Sequence, residues 1–217
     1  MKIFLGEYLN ETMAFILDFL IYLTFKHKQS IRFDFVTNSI VSDIQSKDSK
    51  SFHINVYGCK SLKIQDVTIT APGNSPNTDG IHIGHSSSIT ITNAKVGTGD
   101  DCISIGDGTQ DVTINQVTCG PGHGISVGSL GKYQNEEPVS GIRVIGGTLS
   151  STTNGVRIKT WPASTPGTAS DIHFENIVMN NVANPILIDQ GYCPNGQCSS
   201  KVIMNITNIY THFDVKS

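Results

Sequence analysis

The chain has 217 residues, 21 of them glycine, and a formal charge of −3 from 15 basic and 18 acidic side chains, so that Asp, Glu, Lys and Arg make up only 15%. That length suits one compact domain and excludes a long multidomain assembly. So low a charged fraction, against roughly 25% in ordinary globular chains, argues against extensive helical surface, and the lack of a basic surplus excludes the polybasic field that grips a nucleic-acid backbone.

At the start of the chain, Met13 to Phe25 is apolar apart from Asp18 and Thr24. It lacks a basic lead-in and a small-residue cleavage site, and it is too short to span a bilayer comfortably. It reads as a buried or amphipathic helix, as a membrane-associating stretch, or as sequence that does not belong to the ancestral domain. Composition changes after Ser30, which divides the chain into an atypical segment 1–30 and a repeat domain 31–217.

From Ile31 onward, short runs of Ile, Val and Thr alternate with Gly/Asn/Asp turns, and helical periodicity is nearly absent. One series of strand centres falls near His53, His82, Ser104, Ser126, Arg157 and Leu187, and a second near Ile64, Ile89, Val112, Ile142, Ile172 and Val202. Strand-and-turn repeats of twenty to thirty residues describe a solenoid, in which each coil buries its apolar row against the next. The expected fold is all-β, a right-handed parallel β-helix of about six coils. A β-sandwich would favour hairpins, and a leucine-rich repeat would need leucines that are scarce here. Turns such as Ile177-Val-Met-Asn-Asn-Val182 suit repeated corners, because Asn tolerates left-handed backbone.

The same register gives meaning to the polar residues, since positions one coil apart lie about 4.8 Å apart. Asp79 in Asn77-Thr-Asp-Gly80, Asp100 and Asp101 in Gly99-Asp-Asp-Cys102, and His123 in Gly122-His-Gly124 recur at 21 or 22 residues, each just before a strand opening at Ile81, Ile103 or Ile125. Three successive coils thus present them on one face. Alternation along Arg157-Ile-Lys159 sends both cations to one side, and Tyr192 follows the next coil. Three crowded carboxylates raise at least one pKa and suit general acid/base work, such as protonating a leaving glycosidic oxygen while activating water. The cations would favour an anionic sugar. Each residue also has a plainer reading as turn, packing or solvated surface, which the shared register disfavours. A Ca²⁺ site on Asp79, Asp100 and Asp101, as in lyase chemistry, is the less favoured alternative. No cofactor or metal is expected. His53, His82 and His85 lie near the expected open face without an assigned role.

The five cysteines form no CxxC pair. Cys193 and Cys198 suit a disulfide across a Gly/Pro-containing loop, and Cys102 and Cys119 a second, leaving Cys59 as the odd thiol. Five unpaired thiols in a cytosolic chain are the alternative. The sequons Asn10-Glu11-Thr12 and Asn205-Ile206-Thr207 agree with secretion.

The motifs Asn77-Thr78-Asp79-Gly80, Gly99-Asp100-Asp101, Gly122-His123-Gly124 and Arg157-Ile158-Lys159, followed by Tyr192, resemble the plant polygalacturonases of the pectin-degrading glycoside hydrolases. The resemblance runs from about Ile31 to the C-terminus. It implies a right-handed parallel β-helix, secretion into the wall space, and inverting, metal-free hydrolysis of α-1,4-linked galacturonan, either from chain ends or internally. Carried over, it makes Asp100 the general acid, Asp79 and Asp101 the pair that holds and activates water, and His123 a support of the protonation network. Arg157 and Lys159 would grip a substrate carboxylate, and Tyr192 would place the sugar. Members are usually considerably longer, with several coils before the catalytic ones and strands after, so the resemblance also implies truncation before Ile31 and beyond Ser217. The expected partner is pectin or polygalacturonate, with no obligatory protein partner and a monomeric state. The competing readings are a catalytically weak or inactive pectin-binding remnant and a purely structural solenoid.

Overall fold

The structure is a computed structural model that describes residues 2–5, 29–162, 167–194, 196, 198 and 204–216. Met13 to Phe25 and Val202 lie outside the described residues, as does the Asn10 sequon. Among the described residues there are strands, turns and no helix. They form a right-handed parallel β-helix.

One wall is a seven-stranded parallel sheet built from Ile31–Asp34, Ile54–Tyr57, Ile81–Gly84, Ile103–Ile105, Ile125–Leu130, Asn154–Thr160 and Asn184–Asp189. Its register stacks Ile54, Ile81, Ile103, Ile125, Val156 and Ile186 in one inward row, and Val56, Ile83, Ile105, Val127, Ile158 and Ile188 in another. No coil could bury these side chains alone. Stacked, they are almost wholly buried as far as Ile158, at roughly 1.5–3 kcal/mol per buried side chain. Both rows continue to Ile186 and Ile188, which are 45% and 50% exposed on the last strand of this wall.

The other walls are joined by long strands such as Gln110–Cys119, Val139–Ser150 and Thr168–Asn180, which bend from one face to the next. Corners repeat in columns. Asn38, Ser61, Ser88, Asp111, Gly141, Asp171 and Asn208 occupy one corner at positive φ, and Asp43, Asp66, Asn93, Gln116, Gly146 and Asn176 another. Short polar residues and glycine are those that adopt this backbone at least cost. They also cross-link coils, as where Asn93 Nδ2 donates to Asp66 Oδ1 at 2.6 Å. Beside the parallel ladder, Lys2–Leu5 pairs antiparallel with Ser39 to Ser42.

Both expected disulfides are present, Cys102–Cys119 and Cys193–Cys198, and Cys59 is a buried free thiol. The register corrects some of the expected strand centres. Asn55, not His53, pairs with His82, and Ile64 pairs with Ile91, not Ile89. The partner of Ile172 is Ile209, because the segment around the Cys193–Cys198 loop lengthens that coil. His53 does not belong to the open face either: it is fully buried, with Nδ1 2.8 Å from Ser46 Oγ, and burial pushes its pKa down.

Candidate active site

Three successive corners carry the acidic residues and the histidine, and backbone hydrogen bonds hold them in line. Gly80 N donates to Asp101 O at 2.9 Å, Cys102 N to Gly124 O at 2.7 Å, and His123 N to Asp100 O at 2.9 Å. The flanking glycines are required by this close stacking. A Cβ at Gly80 would lie 2.5 Å from the Cys102 carbonyl oxygen, and one at Gly124, where φ is +89°, would overlap the Asn154 and Gly155 carbonyls.

Asp101 is 1% exposed and densely held. Its Oδ1 accepts from Ser126 Oγ at 2.9 Å and Arg157 Nη2 at 2.8 Å, and its Oδ2 accepts from Lys159 Nζ at 2.9 Å. Two cations on one buried carboxylate offset the loss of water around the charge. The alternation of Arg157 and Lys159 on one strand face thus converges on Asp101. Both retain further N–H donors for another anion.

Asp79 sits in a different field. Ser104 Oγ donates to its Oδ2 at 2.6 Å, and Ser104 in turn lies 2.8 Å from His82 Nδ1. Burial, and then the charges of Asp101 and Asp100, push the Asp79 carboxyl up to about 7, against smaller opposing effects of Ser104 and Lys159. The expected consequence of crowding three carboxylates falls on this residue.

Asp100 goes the other way. Burial favours its protonated form, but the hydrogen bonds from His123 and from the Asp101 N–H, with the charges of His123 and Lys159, outweigh burial and hold the carboxyl below its usual value. Nδ1 of His123 lies 3.1 Å from Asp100 Oδ1, and that bond, against the opposing effect of burial, raises the imidazole pKa above 6.5. The two shifts place the shared proton on His123, next to an ionised Asp100.

A cleft of about 440 Å³ opens over these residues, lined by Asn77, Asp79, Asp100, Asp101, Lys159 and Tyr192 among others. His123 and Arg157 are joined to it through Asp100 and Asp101. Tyr192 stands edge-on to Trp161 at 5.5 Å, with Lys159 Nζ 5.2 Å from its ring centroid. All seven residues singled out from the sequence are therefore gathered at one place. Asp100, Asp101 and His123 also present ligand atoms within 4.8 Å of one another. The Asp101 oxygens are already taken by two cationic side chains, and that donor set fits a carboxylate network better than a cation.

Sequence reasoning missed several members. Ser104, Lys132, Tyr133 and Glu136 line the cleft beside His82, which the sequence already puts near the open face, and Ser126 supports it from below. The serines look like ordinary outward residues of alternating strands. Only the 25-residue separation shared by Ser104 with Asp79 and Ser126 with Asp101 could have marked them.

Residues 23–216 match the model of Glycosyl hydrolases family 28. Among similar curated proteins, an exopolygalacturonase of Platanus acerifolia is 62% identical over 170 residues, 78% of this chain and 45% of that protein. A polygalacturonase of Gossypium barbadense is 60% identical over 169 residues, 78% and 42% of the two chains. The chain thus spans less than half the length of these relatives. Among solved structures, a polygalacturonase from Erwinia carotovora ssp. carotovora superposes with TM-score 0.63 at 26% identity, covering 82% of this chain and 57% of that one. An endo-xylogalacturonan hydrolase from Aspergillus tubingensis gives 0.70 at 25% identity, with 82% and 58% covered.

Proposed function

This chain belongs to glycosyl hydrolases family 28, and on that footing we propose that it hydrolyses α-1,4-galacturonosidic bonds of de-esterified pectin with inversion at the anomeric carbon. The observation that carries the proposal is the convergence of Asp79, Asp100 and Asp101 with Arg157 and Lys159 at a single cleft. In this reading the proton held on His123 passes to Asp100 as Asp100 delivers a proton to the glycosidic oxygen and that oxygen's bond to the anomeric carbon breaks. Water held between Asp79 and Asp101 attacks the opposite face of the sugar and loses its proton to the carboxylate pair. Asp101, anchored by three donors, serves as the fixed member. Asp79, with one donor, has an oxygen to spare.

Arg157 and Lys159 hold Asp101 with some of their N–H groups and offer the rest to the uronate carboxylate. Tyr192 places the sugar beside them. The two disulfides support an oxidising setting, so the proposal has a secreted protein acting in the extracellular cell wall as a monomer. The test is incubation of the purified chain with polygalacturonate, following reducing ends, product lengths and the anomer first released, with Asp100→Asn alongside. Monomer-only release would identify end-wise attack and mixed oligomers internal cutting. Binding without hydrolysis would identify a pectin-binding remnant, and equal activity in Asp100→Asn would defeat the acid assignment.

A further inference from the structure

Four neighbouring strands of the cleft wall place His82, Ser104, Ser126 and Arg157 in one outward register row. Within it, one device occurs twice. Arg157 Nε donates to Ser126 Oγ at 3.1 Å, and Ser126 donates to Asp101 Oδ1. At the other end His82 Nδ1 meets Ser104 Oγ at 2.8 Å, and Ser104 donates to Asp79 Oδ2. A hydroxyl has one proton, which Ser104 gives to Asp79, so the contact with His82 requires Nδ1–H as the donor. That fixes the tautomer and leaves the Nε2 lone pair unprotonated, in keeping with a ring whose pKa burial pushes down to about 4.

We propose that His82 and Ser104 are positioning residues, forming a one-way hydrogen-bond chain that reserves Oδ2 of Asp79 as an acceptor and leaves Oδ1 to take the proton of the attacking water. The inference rests on the reading of Asp79 as a member of the water-activating pair. Ser104 alone would leave its hydroxyl free to rotate, and the His82 N–H occupies the lone-pair side and turns the proton toward Asp79. His82 is itself held by a stack on Phe52, with ring centroids 4.6 Å apart. The next residue, His53, donates its backbone N–H to the Asp79 carbonyl at 2.8 Å. One segment therefore orients both ends of the chain.

The two serines differ in what stands behind them. Asp101 is backed by the cationic Arg157 and by Lys159, while Asp79 is backed by a neutral ring, which orients the carboxyl without adding positive charge. The charged groups facing Asp79 are Asp101 and Asp100 from the next coil and Lys159 from farther along the wall. The one buried imidazole near its backbone, His53, turns inward to Ser46.

The experiment measures kcat, KM and pH profiles on polygalacturonate, with thermal unfolding as a check on folding. Ser104→Ala and His82→Phe are expected to lower kcat about 10–100-fold, the range found for groups that orient metal ligands, with KM within about twofold. Ser104→Ala removes a donor that lowers the Asp79 pKa, so the acidic limb moves to higher pH. Ser104→Thr keeps the hydroxyl and should retain most activity. His82→Asn can supply an N–H near the Nδ1 position and should rescue, whereas His82→Gln, which reaches the Nε2 position, should not. Rescue by Gln and not Asn, a rise in KM at unchanged kcat, or no effect would overturn the chain. Nitrogen NMR of the unsubstituted protein must show His82 as the Nδ1–H tautomer, and the Nε2–H form would also overturn it. If the unsubstituted protein releases no reducing ends, the hydrolase reading fails. The carboxyl titration of Asp79, compared between the protein and Ser104→Ala by carbon NMR, then decides the chain by itself: an upward shift supports it and an unchanged curve ends it.

Discussion

His123 grips Asp100 through its Nδ1, 3.1 Å from Oδ1, and the two shift each other's titration in opposite directions, the imidazole up and the carboxyl down. The pair keeps one proton until the pH passes the raised His123 value, so in the proposed reaction its loss would form the alkaline limb of activity. In His123→Ala, Asp100 must hold that proton alone. A carboxyl releases it at lower pH than the imidazole, so the alkaline limb should move downward and kcat should fall by about 10²-fold. A pH–rate profile with an unmoved limb would remove His123 from the protonation network.

Asp79 carries a stability cost. Its folded pKa of about 7 lies above the ordinary 3.8, so the folded state binds a proton more tightly than the unfolded chain. Its contribution to stability is fully present below about pH 4 and is lost as pH rises through about 7. Asp79→Asn abolishes the charge. The variant should be more stable than the parent by about 1–3 kcal/mol at pH 8, converge with it near pH 4, and hydrolyse nothing. Thermal unfolding at the two pH values measures this, and equal differences at both would show that the carboxyl is not strained by burial.

Lys159 is 2.9 Å from an Asp101 that is almost completely buried. Removing the amine in Lys159→Met leaves one cation on that carboxylate, and a destabilisation of about 3 kcal/mol is expected in urea unfolding. Adding Asp101→Asn should recover a large part of it, because the uncompensated charge disappears as well. On polygalacturonate the single variant should also raise KM, since the same amine is proposed to meet the substrate carboxylate. Strictly additive unfolding effects would mean that the pair does not interact.

Much of this was legible in the sequence for a physical reason: a solenoid repeats its geometry at each turn, so spacing becomes position. Asp79, Asp100, Asp101 and His123 could be stacked from their 21- and 22-residue intervals, and Arg157 and Lys159 could be put on one side by alternation. What alternation cannot tell is which neighbour a side chain meets. His53 is a polar residue in a turn, yet it faces the interior. Ser104 and Ser126 acquire meaning only because the wall sets each against a carboxylate one coil away. Beyond Asp189 the 30-residue rhythm fails, because the loop closed by Cys193 and Cys198 adds length that no periodicity anticipates.

The stacked corners also govern which heritable changes the molecule can absorb. Ser126 and Arg157 remain register partners although 31 residues separate them, while Ser104 and Ser126 do so across 22. Extra length is therefore accommodated in the connections, and the wall keeps its alignment. Within the strands between Asp79 and His123 there is no such slack. A one-residue insertion or deletion within the Ile81–Gly84 or Ile103–Ile105 strand would invert the alternation of everything beyond it in that strand, turning isoleucines outward and the proton-handling row into the core. Variation by whole coils or by loops is open to this architecture, and variation by single residues within these wall strands is closed.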